Sequence, residues 1–484
     1  MGAIYGKDYR DRIDSLNPQV WIQGERVRGK ISEHPAFKGI INSQASLYDL
    51  QHQSSYKNIM TFTSPISGSP IGTSFLMPHN KKDLRKRRLM YQNWAKMNAG
   101  MMGRSPDYMN TVLVAFVASK HLLEGKTNCF PENLESLYKL ASENDYSFTH
   151  TFINPQVNRA TLHFLEEYDQ PIAAKVVGRT SEGLIIKGAK LLATQGGITD
   201  EIIVYSTGNP LDKSYAYAFS IPSNTEGLKF ICRESFCSND FRFDYPLSSR
   251  FEENDSIVVF DHVLVPWNRV FYYDNIEIAK AFTTKGAFTA LTLHQVVSRQ
   301  VVKLEFILGV AQLIVDTINT SEYQHVQEKI AEIILALETM KAFLITSETE
   351  AKESTNGILL PAVNPLYSAI TTFQRLYPRM AEIIQHLGAS GMISIPTEKD
   401  FDSNIKEDLN LYLQATTKNG KDRVQLFRLA WDLCMSPFGT RQTLYEKFFF
   451  GDPVRLASSL YINYNRKDIV ERVEQFLSDS HTKN

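Results

Sequence analysis

Apolar positions change their spacing twice along the chain, and the changes divide it into three stretches. The first ~145 residues carry helix-type spacing after an irregular start, broken by a Gly- and Pro-rich loop between Thr63 and Phe75. From about Tyr168 to Tyr273, short β-branched and aromatic runs separated by turns predict strands at Ile172 to Val177, Leu184 to Lys187, Glu201 to Ser206, Ser214 to Ile221 and Ser256 to Val265. After Tyr273 the helical period returns, with Ile333, Leu337, Met340 and Leu344 on one face of a long helix. Helix, then strand, then helix, without an internal repeat, predicts segregated units and an α+β fold.

Composition narrows the classes of function. A chain of 484 residues has material for several domains, and 52 basic against 53 acidic residues give a net charge of -1, unlike a general polyanion binder. The basic run Lys81, Lys82, Arg85, Lys86, Arg87, Arg88 reads as the solvated face of a helix with Leu84, Leu89 and Met90 turned inward, so no nucleic-acid partner is expected. Four cysteines without a CxxC pair fit a reducing cytoplasm. The start, MGAIYGKDYRDRIDSLNP, has no apolar core, so no secretory signal is expected. The apolar stretch Val301 to Val315 is interrupted by Lys303, Glu305 and Gln312, so no membrane span is expected either. There is no GxGxxG after a strand, no GxxxxGK[ST], no HExxH and no GxSxG, and the histidines form no ligand pair, so no metal is expected.

Three segments concentrate chemistry. In MMGRSPDYMN, a helix entered near Pro106 puts Asp107 in its first turn, where the dipole favours a carboxylate, and Arg104 and Tyr108 can face one cavity; an ordinary helix entrance with a surface Arg explains the same residues. In SFTHTFINPQVNR, His150, Asn154, Gln156, Asn158 and Arg159 form a polar stretch between packed units, where ligands often bind; a hydrogen-bonded His among turn-capping amides accounts for it equally well. GAKLLATQGGITDEIIVYSTG reads as a strand pair turning at Gly196 and Gly197, with Thr194, Ser206 and Thr207 near the strand ends, and by residue type alone a plain hairpin is preferred.

Five segments in order, MGRSPDYMN, THTFINPQVNR, GLIIKGAKLLATQGGITDEIIVYSTG, FDHVLVPWNRVF and LYEKFFFGDPVR, resemble the signature stretches of the 4-hydroxyphenylacetate 3-monooxygenase oxygenase family. The resemblance implies an acyl-CoA-dehydrogenase-like architecture: an N-terminal helical domain over 1–147, a middle β-barrel over 148–275 and a C-terminal four-helix bundle over 276–484, assembled as a cytoplasmic homotetramer. It implies a FADH2-dependent monooxygenase of aromatic catabolism, with reduced FAD supplied by a separate NADH-dependent flavin reductase. That partner would explain the missing dinucleotide fingerprint. The substrate implied is 4-hydroxyphenylacetate, with a chlorophenol or another phenol as the alternative.

Carried over by position, Arg104, Tyr108 and His150 match the phenol-binding and oxygen-handling residues, and Ser206 and Thr207 the substrate-contacting loop. His150, Gln156, Arg159 and Thr194 match flavin-binding positions, with Thr194 beside the reactive edge, and Phe449, Phe450, Gly451 and Asp452 are expected to close over the cofactor. His150 could accept the phenol proton while Arg104 stabilises the anion. Two neighbouring chemistries are weighed. The related 4-hydroxybutyryl-CoA dehydratase holds an iron–sulfur cluster through cysteines where this chain has Arg104 and Tyr108, and His294 alone cannot replace them. An acyl-CoA-dehydrogenase-like oxidoreductase needs a catalytic carboxylate, for which Glu382 and Glu446 are the candidates.

Overall fold

Proline placement starts many of the helices that position the site. Pro35–Leu50, Pro106–Ala118, Pro131–Asn144, Pro437–Phe448 and Pro453–Asn463 all carry proline in the first turn, where its fixed φ suits a helix and its missing N–H costs no hydrogen bond. The computed structural model of the chain describes residues 2–157, 170–206, 210, 212–237 and 241–479. Helices dominate both ends and strands the middle, so the expected α+β order holds.

The strands form two main sheets. One has six strands in the order Glu25–Arg26, Val20–Ile22, Leu228–Cys232, Asp255–Pro266, Gly183–Thr194 and Lys175–Arg179. The other orders Val270–Tyr273, Tyr217–Pro222, Glu201–Tyr205 and Phe148–Thr151. They pack through side chains such as Phe219 and Phe260, whose ring centroids lie 6.3 Å apart edge to face. The expected middle β-barrel is corrected here: each sheet keeps two edge strands, and no closed barrel forms among the described residues. Closure needs a continuous ladder between the sheets, whereas near Thr149 they are linked by the isolated bridge Ile153 to Leu191 and by side-chain bonds such as those from Thr149 Oγ1 to the Thr194 carbonyl at 2.7 Å and from Thr151 Oγ1 to the Leu191 carbonyl at 2.8 Å.

The turn at Gly196 and Gly197 is likewise not a hairpin. Gly183–Thr194 pairs with Asp255–Pro266 while Glu201–Tyr205 pairs with Tyr217–Pro222, so the turn carries the chain from one sheet to the other. It is tight: Gly197 has φ +84°, and a Cβ on Gly196 would lie 2.2 Å from Ser256 Oγ and 2.6 Å from the Phe230 ring.

In the C-terminal part, Phe288–Ile318 and Val363–Gly388 each pack against both Gln324–Thr349 and Gly420–Cys434, giving a four-helix bundle. The face expected from spacing is buried, with Ile333, Leu337, Met340 and Leu344 at 5 % exposure or less. The basic helix, Lys81–Met97, differs from expectation at two positions. Arg87 is fully buried, donating to the carbonyls of Ser74 and Leu76 and to Thr111 Oγ1, and Arg88 pairs with Glu348 at 2.7 Å. Those two arginines tie helices together rather than face solvent. No helix among the described residues is long and apolar enough to cross a membrane.

Candidate active site

Arg104 lies where the N-terminal helices, the sheets and the C-terminal helices meet. Its backbone N–H and that of Gly103 donate to the two oxygens of buried Glu253 at 2.7 and 2.8 Å, which fixes the residue just before helix Pro106–Ala118. The side chain is 8 % exposed, yet among the described residues it has no carboxylate within ion-pair distance, and its Nε has no partner. Nη1 donates to the Gly103 carbonyl at 3.2 Å and to the Tyr445 hydroxyl at 2.5 Å. The guanidinium sits 4.2 Å from the centroid of the Tyr108 ring and 5.4 Å from that of Phe449. A buried cation normally recruits an anion, and among the described residues this one has none in ion-pair contact.

Tyr108 arrives one helical turn after Arg104, as the spacing requires. Asp107, in the same first turn, accepts from Ser105 Oγ at 2.5 Å and from Gln295 Nε2 at 3.0 Å; burial outweighs both bonds and pushes its carboxyl up to about 6. It tethers this helix to the bundle and makes no ion pair with Arg104.

His150 comes from strand Phe148–Thr151, all four residues of which are buried. Parallel pairing places it opposite Ile203, and its Nδ1 meets the Tyr205 hydroxyl at 2.9 Å. Its ring is edge-on to Tyr108 at 5.8 Å and to Phe152 at 5.2 Å. Burial, and then the nearby Arg104 charge, hold the imidazole well below its usual range, so it is neutral at physiological pH.

The C-terminal side is supplied by helix Pro437–Phe448. Arg441, Tyr445 and Phe449 recur at intervals of four and stack: the Arg441 guanidinium is 4.9 Å from the Tyr445 ring, which lies parallel to Phe449 at 4.7 Å. Arg441 is itself fixed by Asp255, at 2.7 and 3.1 Å, and approaches Glu253 at 3.5 Å. On the next face, Glu446 receives Arg299 at 2.6 and 3.0 Å and Lys303 at 2.8 Å. Burial opposes ionisation of Glu446, but these two cations overcome it and hold the carboxyl at about 2. Glu382, the other candidate for a dehydrogenase base, is half-exposed and paired with Arg379 at 3.0 Å. Neither carboxylate is free to act as a base.

The remaining expected site residues divide. Thr194 Oγ1 donates to Asp255 Oδ1 at 2.8 Å, placing it beside the Arg441 anchor. Ser206 is buried, and its hydroxyl donates to the carbonyls of Tyr215 and Tyr217, tying down the strand end. Of the four residues from 449 to 452, Phe449 faces Arg104. Phe450 packs against Phe449 with centroids 5.8 Å apart, the Gly451 carbonyl accepts from Gln374, and Asp452 caps Pro453–Asn463 through the amides of Val454 and Arg455. Gln156 is exposed. Arg159 and Thr207 lie outside the described residues. His294 pairs with Glu348 at 2.8 Å, and no group of three metal-ligating side chains occurs among the described residues. Sequence reasoning missed Tyr205, Glu253 and Tyr445, although Tyr205 and Tyr445 stand inside segments it had singled out.

Two family models match nearly the whole chain: 4-hydroxyphenylacetate 3-hydroxylase N terminal over residues 5–272 and 4-hydroxyphenylacetate 3-hydroxylase C terminal over 279–478. The chain is 57 % identical to the probable 4-hydroxyphenylacetate 3-monooxygenase of Bacillus subtilis (strain 168), covering 99 % of both. It is 44 % identical to the 4-hydroxyphenylacetate 3-monooxygenase oxygenase component of Thermus thermophilus, covering 99 % of this chain and 98 % of that one. Among solved structures, an oxygenase component (HpaB) of 4-hydroxyphenylacetate 3-monooxygenase complexed with FAD and 4-hydroxyphenylacetate superposes with a TM-score of 0.94 at 43 % identity, covering 99 % of each chain. With a buried, unpaired arginine between aromatic rings and this likeness along its whole length, the chain belongs to the 4-hydroxyphenylacetate 3-hydroxylase family.

Proposed function

We propose that this protein is the oxygenase component of a two-component, FAD-dependent monooxygenase that hydroxylates 4-hydroxyphenylacetate ortho to its phenolic hydroxyl. A separate NADH-dependent reductase supplies the reduced flavin. The observation that carries the reading is the buried Arg104, which lacks a carboxylate partner among the described residues while Tyr108, Tyr445 and His150 surround it. Related proteins of 44 and 57 % identity carry the same activity in their names.

The residues fit a flavin. The half-buried Phe449 ring, backed by the parallel Tyr445 ring, offers an aromatic face for a planar conjugated ring beside Arg104, and the buried Gln195 Oε1 next to Thr194 has no partner. Thr194, Phe449, Phe450 and the stretch containing His150 and Gln156 would hold it. Reduced FAD, when bound, activates dioxygen for transfer to the aromatic ring.

The rest of the work falls to the protein. A phenol ionises near pH ~10 in water, so its ring is a weak nucleophile at neutral pH unless the anion is stabilised. Arg104 supplies a permanent positive charge with Nε uncommitted, in a site that excludes water and so strengthens the attraction. His150, neutral and held by Tyr205, takes the phenol proton through its other ring nitrogen when Nδ1–H donates to the tyrosine oxygen. Moving that proton leaves the net charge of the site unchanged, so the phenolate offsets the repulsion between Arg104 and the new imidazolium. Tyr108 stacks on the guanidinium and fixes its plane.

Assembly as a homotetramer is part of the proposal. Helix Lys467–Asp479 leaves Ile469, Val470, Val473, Phe476 and Leu477 exposed along one face, a stripe that a neighbouring subunit would cover. Cys129, Cys232 and Cys434 form no disulfide, which suits the cytoplasm. The function is tested by supplying the protein with reduced FAD, oxygen and a panel of phenols. Formation of 3,4-dihydroxyphenylacetate in preference to other catechols is expected; release of hydrogen peroxide alone with every phenol contradicts it.

A further inference from the structure

The phenol-site reading accounts for Arg104, Tyr108 and His150 but gives no part to the tyrosine that touches the guanidinium from the opposite side of the molecule. We infer that Tyr445 is a positioning residue for the phenol oxygen: it commits one end of the Arg104 fork so that Nε and Nη2 are presented to the ionised hydroxyl of the substrate. The inference rests on the proposed function, because it assigns Tyr445 to that same site.

The geometry is specific. Arginine has five N–H donors on a flexible stem, and an uncommitted guanidinium explores many orientations. Here Nη1 is tied to Tyr445 at 2.5 Å and to the Gly103 carbonyl at 3.2 Å, whereas Nε has no partner and Nη2 forms no hydrogen bond or ion pair among the described residues. The fork is therefore held at one end and open at the other.

Tyr445 is in turn held on both faces. Arg441 lies 4.9 Å from its ring on one side and Phe449 stacks at 4.7 Å and 6° on the other, while the neighbouring Glu446 pins the same helix turn to Arg299 and Lys303. Space for the hydroxyl is made by the absence of a side chain at 103: a Cβ on Gly103 would lie 2.2 Å from the Tyr445 hydroxyl oxygen. An alanine there would have to push the tyrosine away, so Gly103 and Tyr445 form one device. Because its oxygen accepts from a cation, the tyrosine's own proton points away from the guanidinium, and no acceptor takes it among the described residues.

A merely structural tyrosine would affect every ligand alike; a positioning tyrosine affects the ligand's hydroxyl. The test uses the full chain saturated with oxidised FAD and no reductant, so that nothing turns over. Binding of 4-hydroxyphenylacetate and of phenylacetate, which differ only in that hydroxyl, is measured by calorimetry at pH 8, and ionisation of the bound phenol by the ultraviolet difference absorbance of its phenolate. In Tyr445→Phe, which keeps the ring stack, 4-hydroxyphenylacetate is expected to bind about tenfold more weakly with a smaller phenolate signal, while phenylacetate changes by less than about twofold. Gly103→Ala, which displaces the hydroxyl without deleting it, is expected to show the same selective loss. Equal weakening of both ligands, or unchanged affinity and phenolate signal for 4-hydroxyphenylacetate, overturns the assignment of Tyr445. A wild-type protein that does not prefer 4-hydroxyphenylacetate over phenylacetate instead removes the phenol site on which the inference stands.

Discussion

Two buried cationic clusters meet helix Pro437–Phe448 at consecutive residues, and they are built on opposite plans. At Glu446, Arg299 and Lys303 converge on a carboxylate with Gln300 and Gln442 filling further hydrogen bonds. At Tyr445, Arg104 is also buried, but its side chain meets only a neutral hydroxyl, a carbonyl and aromatic faces. The first cluster is electrically complete and serves as a clamp between helices. The second has no carboxylate in ion-pair contact, since the nearby Glu253 is committed to the amides of Gly103 and Arg104, and an ionised phenol is the anion proposed to fill that place. Burial of charge alone therefore does not mark a site; burial of charge without its counter-charge does.

The sharpest way to break this contrast is to remove one member from each cluster. Glu446→Gln leaves Arg299 and Lys303 facing each other in a dry interior, and a loss of about 3–5 kcal/mol in stability is expected from denaturant unfolding. Arg104→Ala is expected to leave the unfolding midpoint nearly unchanged and to lower hydroxylation by about 10³-fold, since it deletes the charge that the reaction uses. If the two variants lose stability equally, the clusters do not differ in kind.

His150→Ala separates oxygen consumption from hydroxylation. The variant should still oxidise reduced FAD, with catechol yield lowered by roughly 10²-fold and hydrogen peroxide in its place, because only the proton acceptor is missing. Full catechol yield per FAD would remove His150 from its role.

What could be read from the sequence was mostly local. Arg104, Pro106 and Tyr108 could be placed together because a helix start fixes their relation over four residues, and the apolar face from Ile333 to Leu344 follows from one helix's own period. His150 could be singled out by residue type, but its setting in a fully buried strand could not, because that strand pairs with Glu201–Tyr205, some fifty residues away. Strands such as Val20–Ile22 were invisible for a similar reason: three residues show no alternation, and their partner, Leu228–Cys232, lies two hundred residues on. The barrel was expected from resemblance rather than from the strands themselves, whose local spacing does not say which strand pairs with which; their pairing leaves two open sheets. Glu253 and Tyr445 escaped notice because their bonds to the Gly103–Arg104 segment span 149 residues or more.

Glu253 offers a finer test of how Arg104 is held. Glu253→Gln keeps one oxygen for the amides of Gly103 and Arg104 but turns the other acceptor into a donor facing an N–H. A stability loss of about 2 kcal/mol and an activity loss of about tenfold are expected, smaller than for Arg104→Ala. An activity loss as large as that of Arg104→Ala would mean that the backbone anchor, rather than the guanidinium, governs the site.

The smallest effect concerns Asp107, buried like Glu446 but without a cation. Its folded pKa, about 6, lies above the usual ~3.9 of an unfolded aspartate, so the native state holds the proton more tightly. The associated destabilisation is absent below about pH 4, grows as pH rises towards 6 and is full above it. Asp107→Asn, with the Gln295 amide turned so that its unpartnered oxygen accepts, is expected to gain about 1–2 kcal/mol at pH 7 and nothing near pH 4. A gain that does not vary with pH would place the effect elsewhere.

The most direct measurement is a single turnover. The full chain carrying reduced FAD and 4-hydroxyphenylacetate is mixed with oxygenated buffer, and 3,4-dihydroxyphenylacetate and hydrogen peroxide are counted per FAD, in the wild type and in Arg104→Ala. Close to one catechol per FAD in the wild type, and peroxide almost alone in the variant, is the predicted result. Peroxide alone from the wild type, or equal catechol from both proteins, contradicts the account of Arg104 as the charge that ionises the phenol.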